Sequence, residues 1–486
     1  MIKFVTFASE FRASALVCSS VAVLLTACGG ASPDQFGTAP STAQAQTAST
    51  IASNLNAPDQ ASNSQAQETN SATDAPGNGT VSAHEFDLAG YEAGPVAQDD
   101  GSQSATPSSA APSAGNPALT TTLATTTNVL GGAVAPAAAV VPETTYKLYV
   151  SSNGNDSAAG TANAPFRTLA RAARSTRPST TVFVAPGTYA GNLKTTVHGS
   201  ATARIYYIST TKLGAKIIPV SGSSVKNAWD NRGNYVDIVG FDVDGTNSKW
   251  TVGIYNGGSY DMIRGNWVHA IARGTACNSG GGSAIGVDSY YHGVHSDVVG
   301  NLVTDIGPAG CRYVQGIYIS TSGTVKNNVV YRVAEAGIHL WHDANNVIIT
   351  NNTVTTSDTG IVVGGGDFYH TSGPANNVQV NSNIVYDNHM GISEQGKTGQ
   401  QNTYRNNLVF QNTTYNWRLL NGLQHSGTVT SNPLFVAYTR TGTPDLRPTS
   451  SSPAVGRGSP AGALNYDFLD RSRTSTTGFD IGAYQH

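Results

Sequence analysis

The chain has 486 residues, 39% of them hydrophobic and only 12% charged, with a formal net charge of −3. That length admits two or three ordinary domains, and nothing points to nucleic acid, since the basic residues are neither clustered nor set among RNA-binding motifs. The average hides a division: two of the 27 bases and eleven of the 30 acids precede residue 144, leaving 25 bases against 19 acids in residues 144–486, a net of +6 that is compatible with an acidic polymer partner.

Taken in chain order, the N-terminus carries Lys3 and Arg12, then a short apolar run, then LTAC at Leu25 to Cys28. The run is too short to span a bilayer comfortably and ends in small residues, so residues 1–28 are expected to be a secretory signal peptide. Its last four residues resemble the bacterial lipobox, which implies that Cys28 becomes the lipidated first residue of an exported lipoprotein, held at the outer membrane or cell surface by a lipid anchor only. From Gly29 to Glu143 the chain is rich in Ala, Ser, Thr, Gln and Pro and has no Lys or Arg, which predicts a disordered tether.

The working part follows. Thr168 to Arg174 reads as a short helix with Leu169, Ala172 and Ala173 on one face. Then a small pattern recurs: GNWV at Gly265, GNLV at Gly300, NNVV at Asn327, NNTV at Asn351, SNIV at Ser382 and NNLV at Asn406. Successive asparagines (Asn266, Asn301, Asn328, Asn352, Asn383, Asn407) lie 35, 27, 24, 31 and 24 residues apart. A period near two dozen with short Val and Ile runs means one coil of a parallel β-solenoid per repeat. Asparagine at each corner is expected to stack on its counterpart in the next coil. Each corner is followed by a Gly-apolar pair (Gly286, Gly316, Gly337, Gly360 and Gly391), where glycine is expected to turn the chain with positive φ.

On these motifs, and on the opening YVSSNGNDSAAGTANAPFRTLARAAR and the closing DIGAYQH, residues 146–486 resemble the right-handed parallel β-helix proteins of the pectate lyase superfamily. The resemblance implies an all-β, single-stranded right-handed parallel β-helix with an N-terminal cap over about 146–190, including the capping helix, and a closing segment over about 430–486. It also implies that the Gly-apolar strands and the loops before them build a substrate groove.

Taking the residue after each Gly as inward, the next points out: Tyr255, Asp288, Tyr318, His339, Val362 and Ser393 in successive coils, with Tyr290 and Trp341 two places further on. Asp288, Tyr318 and His339 are therefore expected on adjacent rungs as proton-transfer groups, with Tyr255, Tyr290, Trp341, His342 and Asp343 contacting a sugar. Asp367, His370, Glu394 and Lys397 form a weaker second set beyond the strands. Cys277 and Cys311 stand 11 and 10 residues after their corner asparagines, in the two longest loops, and are expected to pair as a disulfide.

The leading expectation is a polysaccharide lyase-like enzyme acting on uronic-acid polymers, with His339 as base and Tyr318 as acid or the reverse. Lys397, Arg312 or a bound cation would neutralise the substrate carboxylate. No cofactor is firmly implied; calcium stays open, although it takes six to eight oxygens and Asp288, Asp343 and Asp367 lie well apart in sequence. A glycoside hydrolase and a non-catalytic, adhesin-type glycan binder are the alternatives, and a monomer is expected.

Overall fold

The structure, a computed structural model, describes residues 143–275, 277, 281–473 and 478–486. The expected signal peptide, the lipobox Cys28 and the tether as far as residue 142 lie outside the described residues. The repeat sets the architecture: each coil gives one strand to each of three parallel sheets. One coil runs through Gly323–Lys326, the Asn327–Asn328 corner, Val329–Val333, a short turn, Ala336–Leu340 and a loop to Val347–Thr350 of the next coil. Among the described residues the first sheet has eleven strands, from Tyr146–Val150 to His425–Ser426. The second has nine, from Gly187–Ala190 to Leu408–Phe410, and the third has nine, from Leu193–Thr195 to Tyr415–Arg418.

The inward column of the third sheet explains why register is fixed. Ile254, Ile285, Ile317, Ile338, Ile361 and Ile392 pair rung to rung and are fully buried. Slipping one of these strands by one residue would exchange its isoleucine for an outward neighbour, such as Tyr318 or His339, losing about 1.5–3 kcal/mol per side chain.

The asparagine column forms as expected. The backbone N–H and side-chain Nδ2 of Asn301 both donate to Asn328 Oδ1, at 2.9 and 3.0 Å, while the same Nδ2 also donates to the Ile263 carbonyl. The pattern repeats from Asn266 to Asn407, so each corner satisfies buried backbone groups that the sharp bend would otherwise strand. The residue before each ladder asparagine takes the left-handed conformation: Gly265, Gly300, Asn327, Asn351, Ser382 and Asn406. This corrects the expectation for the strand glycines. Gly316, Gly337, Gly360 and Gly391 do not have positive φ; they are required because a Cβ on Gly337 would stand 2.3 Å from Val354 Cγ1 and one on Gly360 2.3 Å from Val385 Cγ1.

The short helix, Leu169–Ala173, buries Leu169, Ala172 and Ala173 in the core. Thr168 caps it by accepting from the Arg171 N–H, and Asp156 in turn accepts from Thr168 Oγ1 at 2.8 Å. At the other end Trp417, Leu419 and Leu423 pack against the last core residues. The segment from about 430 to 486 does not close that end. It returns along the outer face of the second sheet, placing Leu446, Phe468, Ala483 and Tyr484 against Leu302, Val329 and Tyr331, and Ala454 and Ile481 against Ile384 and Leu408.

Candidate functional site

With the second sheet covered by the C-terminal segment, the chemically diverse outward side chains stand on the third. Strand register gives its first outward row as Lys194, Asp230, Tyr255, Gly286, Tyr318, His339, Val362, Ser393 and Arg418. Tyr255, Tyr318 and His339 therefore stand where the sequence places them, and Asp288 does not. In its coil the Gly-apolar pair is represented by Ala284 and Ile285, so the row position falls to Gly286. Continuing backbone hydrogen bonds put Asp288 in a second outward row, after Arg232 and Gly257 and before Ser320 and Trp341.

At the centre, the His339 side chain is turned outward but only 7% exposed. Its ring meets Tyr318 edge-to-face at 5.5 Å and Trp341 at 5.8 Å, so the two proposed proton-transfer rings are in contact. Neither ring nitrogen of His339 has a hydrogen-bond partner. Burial, reinforced by His342, lowers the His339 pKa to about 3, which leaves the imidazole neutral. Burial, with Tyr369, Asp288 and Glu335 adding to it, raises the Tyr318 pKa well above the usual phenol range, which keeps the phenol protonated.

A residue the sequence reading missed completes this centre. Glu335, just before the His339 strand, has Oε2 3.9 Å from His339 Nδ1 and accepts from Gln315 Nε2 at 2.6 Å. Burial pushes its pKa up to about 7; the Gln315 hydrogen bond and Arg312 oppose that shift, while Asp358 adds to it. Its sequence signal was weak, because only positions after the glycine were counted as outward.

His342 and Asp343 organise a loop from the next coil. His342 Nδ1 donates to the Asp367 carbonyl at 2.8 Å, which fixes the tautomer, so Nε2 accepts from the Tyr369 hydroxyl. Asp343 Oδ1 accepts from the Tyr369 and Thr371 amides and the Thr371 hydroxyl, and Oδ2 from the His370 amide and Ser289 hydroxyl. Burial alone would raise the Asp343 pKa, but these hydrogen bonds, Thr371 first, hold it below the ordinary carboxylate value. Asp343 is thus an anchor for the wall of the site, and not a free sugar ligand. Asp367 accepts weakly from the Trp341 indole at 3.5 Å, and His370 Nε2 donates to the Ser289 carbonyl. Lys397 donates to the Ser372 carbonyl at 2.6 Å and so pins the same loop. The glycines of GGGD form the bed of the Trp341 ring: a Cβ on Gly364 or Gly366 would stand 2.7 Å from the indole.

Towards the N-terminal coils the face becomes charged. The Tyr255 hydroxyl donates to Asp288 Oδ2 at 3.0 Å, Ser320 Oγ donates to Asp288 Oδ1 at 2.8 Å, and burial, then Asp288, raises the Tyr255 pKa. Tyr255 is buried, so it supports Asp288 instead of offering a ring to ligand. Tyr290 lies past the strand end, 45% exposed, with its ring edge-to-face with Tyr369 at 5.4 Å. Arg232, also missed from sequence, pairs with Asp230 and lies over Tyr291 at 3.6 Å and Tyr255 at 4.5 Å. Beside it opens a cleft of about 310 Å³.

Glu394 needs correction. It lies opposite the inward Val363 and is buried, accepting from Asn402 Nδ2, the Tyr404 hydroxyl and the Leu420 amide. It holds the end of the solenoid together and faces away from the groove. Cys277 and Cys311 form the expected disulfide, with Cα atoms 5.1 Å apart, tying the loops of adjacent coils. Among the described residues no group of three or more His, Cys, Asp or Glu side chains is placed to hold a metal ion.

The family model described as a protein of unknown function (DUF1565) matches residues 152–197, the cap and first coil. A search of curated proteins finds no significant match. Among solved structures, pectate lyase Pel9A superposes with a TM-score of 0.50 at 16% identity, covering 71% of this chain and 97% of that one. An alginate lyase from Paenibacillus sp. str. FPU-7 gives 0.44 at 15% identity, covering 54% of this chain and 92% of that one. The A-module of an Azotobacter vinelandii mannuronan C-5 epimerase gives 0.37 at 16% identity, covering 51% and 66%. At these identities the likeness is one of fold, and the chain is a right-handed parallel β-helix of the pectate lyase kind.

Proposed function

We propose that this protein is a lyase-like enzyme that cleaves uronic-acid polysaccharides by β-elimination, acting at the cell surface as an exported lipoprotein. The observation that carries the reading is His339: an imidazole on an outward row, in contact with a protonated phenol, with both ring nitrogens unpartnered. A buried polar group without a partner costs about 1–3 kcal/mol, and a substrate that supplies the partner recovers that cost. In the proposed step His339 takes the proton from C5 of the uronate, the C4–O4 bond breaks as the C4=C5 double bond forms, and Tyr318 protonates the leaving oxygen. Arg312, whose charge acts on Glu335, is the side chain assigned to neutralise the substrate carboxylate. The fold likeness to a pectate lyase supports the substrate class by analogy only.

Incubating the full chain with a panel of uronic-acid polymers is expected to yield unsaturated product absorbing near 235 nm, and His339→Ala is expected to abolish it. Binding without new absorbance or new reducing ends would instead favour the non-catalytic glycan binder, a reading that draws on the exposed rings of Tyr290 and Tyr291.

A further inference from the structure

Four rungs from Trp341, towards the N-terminal coils, the second outward row reaches Arg232 and the cleft of about 310 Å³ beside it. We infer that this cleft is an anionic-sugar subsite that holds the carboxylate of a uronate unit roughly five sugars from the one that reacts at His339. The inference rests on the proposed substrate class and deepens it, because it makes the protein a reader of chain length and charge, acting within a polymer and not at its end.

The lining has the chemistry of a carboxylate site. Lys194 has no hydrogen-bond or ion-pair partner among the described residues and is exposed. His198 Nδ1 accepts from the Asn234 N–H at 3.2 Å, which fixes the tautomer and leaves Nε2–H as a free donor. Arg232 is held flat by Asp230 on one side and by the Tyr291 and Tyr255 rings on the other, so it is oriented before any ligand arrives. Asp230 offsets one positive charge, leaving Lys194 as the uncompensated cation beside His292 in the lining. The half-exposed Tyr291 ring, already backed by Arg232, offers an apolar face to a pyranose.

The spacing sets the length. Each rung advances about 4.8 Å, so four rungs separate Arg232 from Trp341 by about 19 Å and five separate Lys194 from His339 by about 24 Å. An extended hexuronate chain advances by about one rung per sugar, so one chain laid along the face places a carboxylate at Lys194 five units from the one under His339. The two positions are also joined physically: His292 of the cleft stacks on His370 at 4.0 Å, and His370 belongs to the loop anchored by Asp343.

The test uses the full chain in detergent, carrying His339→Ala so that ligand is not consumed, with binding followed by calorimetry at low salt. Probes are a uronate trimer, a uronate octamer, the carboxyl-reduced neutral octamer and a sulfated octamer. The octamer is expected to bind at least tenfold more tightly than the trimer, and Lys194→Glu to erase that advantage with the trimer affinity and the unfolding midpoint unchanged. The neutral octamer is expected to show no such loss. Equal octamer affinity with and without Lys194→Glu, equal loss for the trimer, or no octamer binding at all overturns the subsite. Preference for the sulfated octamer overturns the carboxylate assignment. Turnover by the otherwise native chain is read separately. Binding behaviour as expected without unsaturated product would defeat the elimination reading and leave the subsite standing, while product with no effect of Lys194→Glu on KM for polymer would do the reverse.

Discussion

Two outer faces of this solenoid are built by the same repeat and end in opposite states. On the second sheet the outward residues Leu302, Val329, Tyr331, Ile384 and Leu408 are apolar, and the C-terminal segment covers them with Leu446, Phe468, Ile481 and Tyr484. On the third sheet the outward positions hold Arg232, Asp288, Tyr318, His339 and Trp341, and the loop that packs over part of them does so through polar and aromatic contacts of Tyr369 and His370. Inward columns are interchangeable between coils, so they report only on folding. A face where the fold has no use for the side chains, and where His339 keeps two buried nitrogens without partners, is where function is written.

The largest expected effect breaks the active face and spares the other. His339→Ala should lower turnover by about 10²–10⁴-fold, the usual contribution of a positioned acid or base, with the unfolding midpoint within a few degrees of wild type, because the ring lies outside the isoleucine column. Unfolding of this variant would mean that the ring is a structural pillar, and the site assignment would fall. Phe468→Ala is the converse. Its ring is buried against Tyr484 and the second sheet, so truncation should cost about 3–5 kcal/mol, read by urea unfolding, while activity at low temperature persists. Activity lost in proportion to His339→Ala would mean the two faces are not independent.

The pH dependence sharpens the comparison on a smaller scale. Glu335 has its pKa raised from 4.5 to about 7, so the stability associated with its protonated form is complete below pH 4.5 and is lost as pH rises through 7. His339 has its pKa lowered from 6.5 to about 3, so its contribution is complete above pH 6.5 and is lost as pH falls toward 3. The two slopes oppose each other between pH 4.5 and 6.5. Glu335→Gln should therefore remove a contribution on the order of 3 kcal/mol that accrues between pH 4.5 and 7, turning a nearly level wild-type profile between pH 4.5 and 6.5 into a rise that then stays flat to pH 8 in urea titrations. A profile between pH 4.5 and 6.5 that is unchanged in the variant would show that Glu335 is not the opposing group.

Much of this was legible beforehand, for reasons that also explain the errors. The corner asparagines and the Ile column recur because every coil meets the same packing problem, and the cap helix showed its apolar face in Leu169, Ala172 and Ala173. The register of one coil was misread because Gly286 imitates the strand glycine whose place Ala284 actually takes. Glu394 read as a groove residue because a carboxylate in an inward column contradicts the repeat, and its partners Asn402, Tyr404 and Leu420 come from later segments. Arg232 sits in a coil whose corner lacks the asparagine motif, and the route of residues 430–486 along the second sheet is a long-range choice that no local pattern encodes.

The smallest expected effect tests the loop that walls the active face. Asp343 accepts five hydrogen bonds on two oxygens, a task an amide cannot fill. In Asp343→Asn one oxygen becomes an NH2 group. If that group replaces Oδ2, Ser289 Oγ can rotate to accept from it, but the His370 N–H cannot. If it replaces Oδ1, the clash moves to the Tyr369 and Thr371 amides. Either way a donor faces a donor, at a cost of about 1–2 kcal/mol. Because the strand and core beneath are untouched, the loss should fall on residues 367–371: their amides should exchange with solvent at least several-fold faster, while those of Ile317 and Ile338 remain protected. His342, tied to this loop through Tyr369 and the Asp367 carbonyl, would lose its orientation, so KM for polymer should rise more than kcat falls. Exchange that is unchanged at 367–371 would show that the ties of His342, His370 and Lys397 hold the loop without Asp343, and the anchor role given to Asp343 would fall.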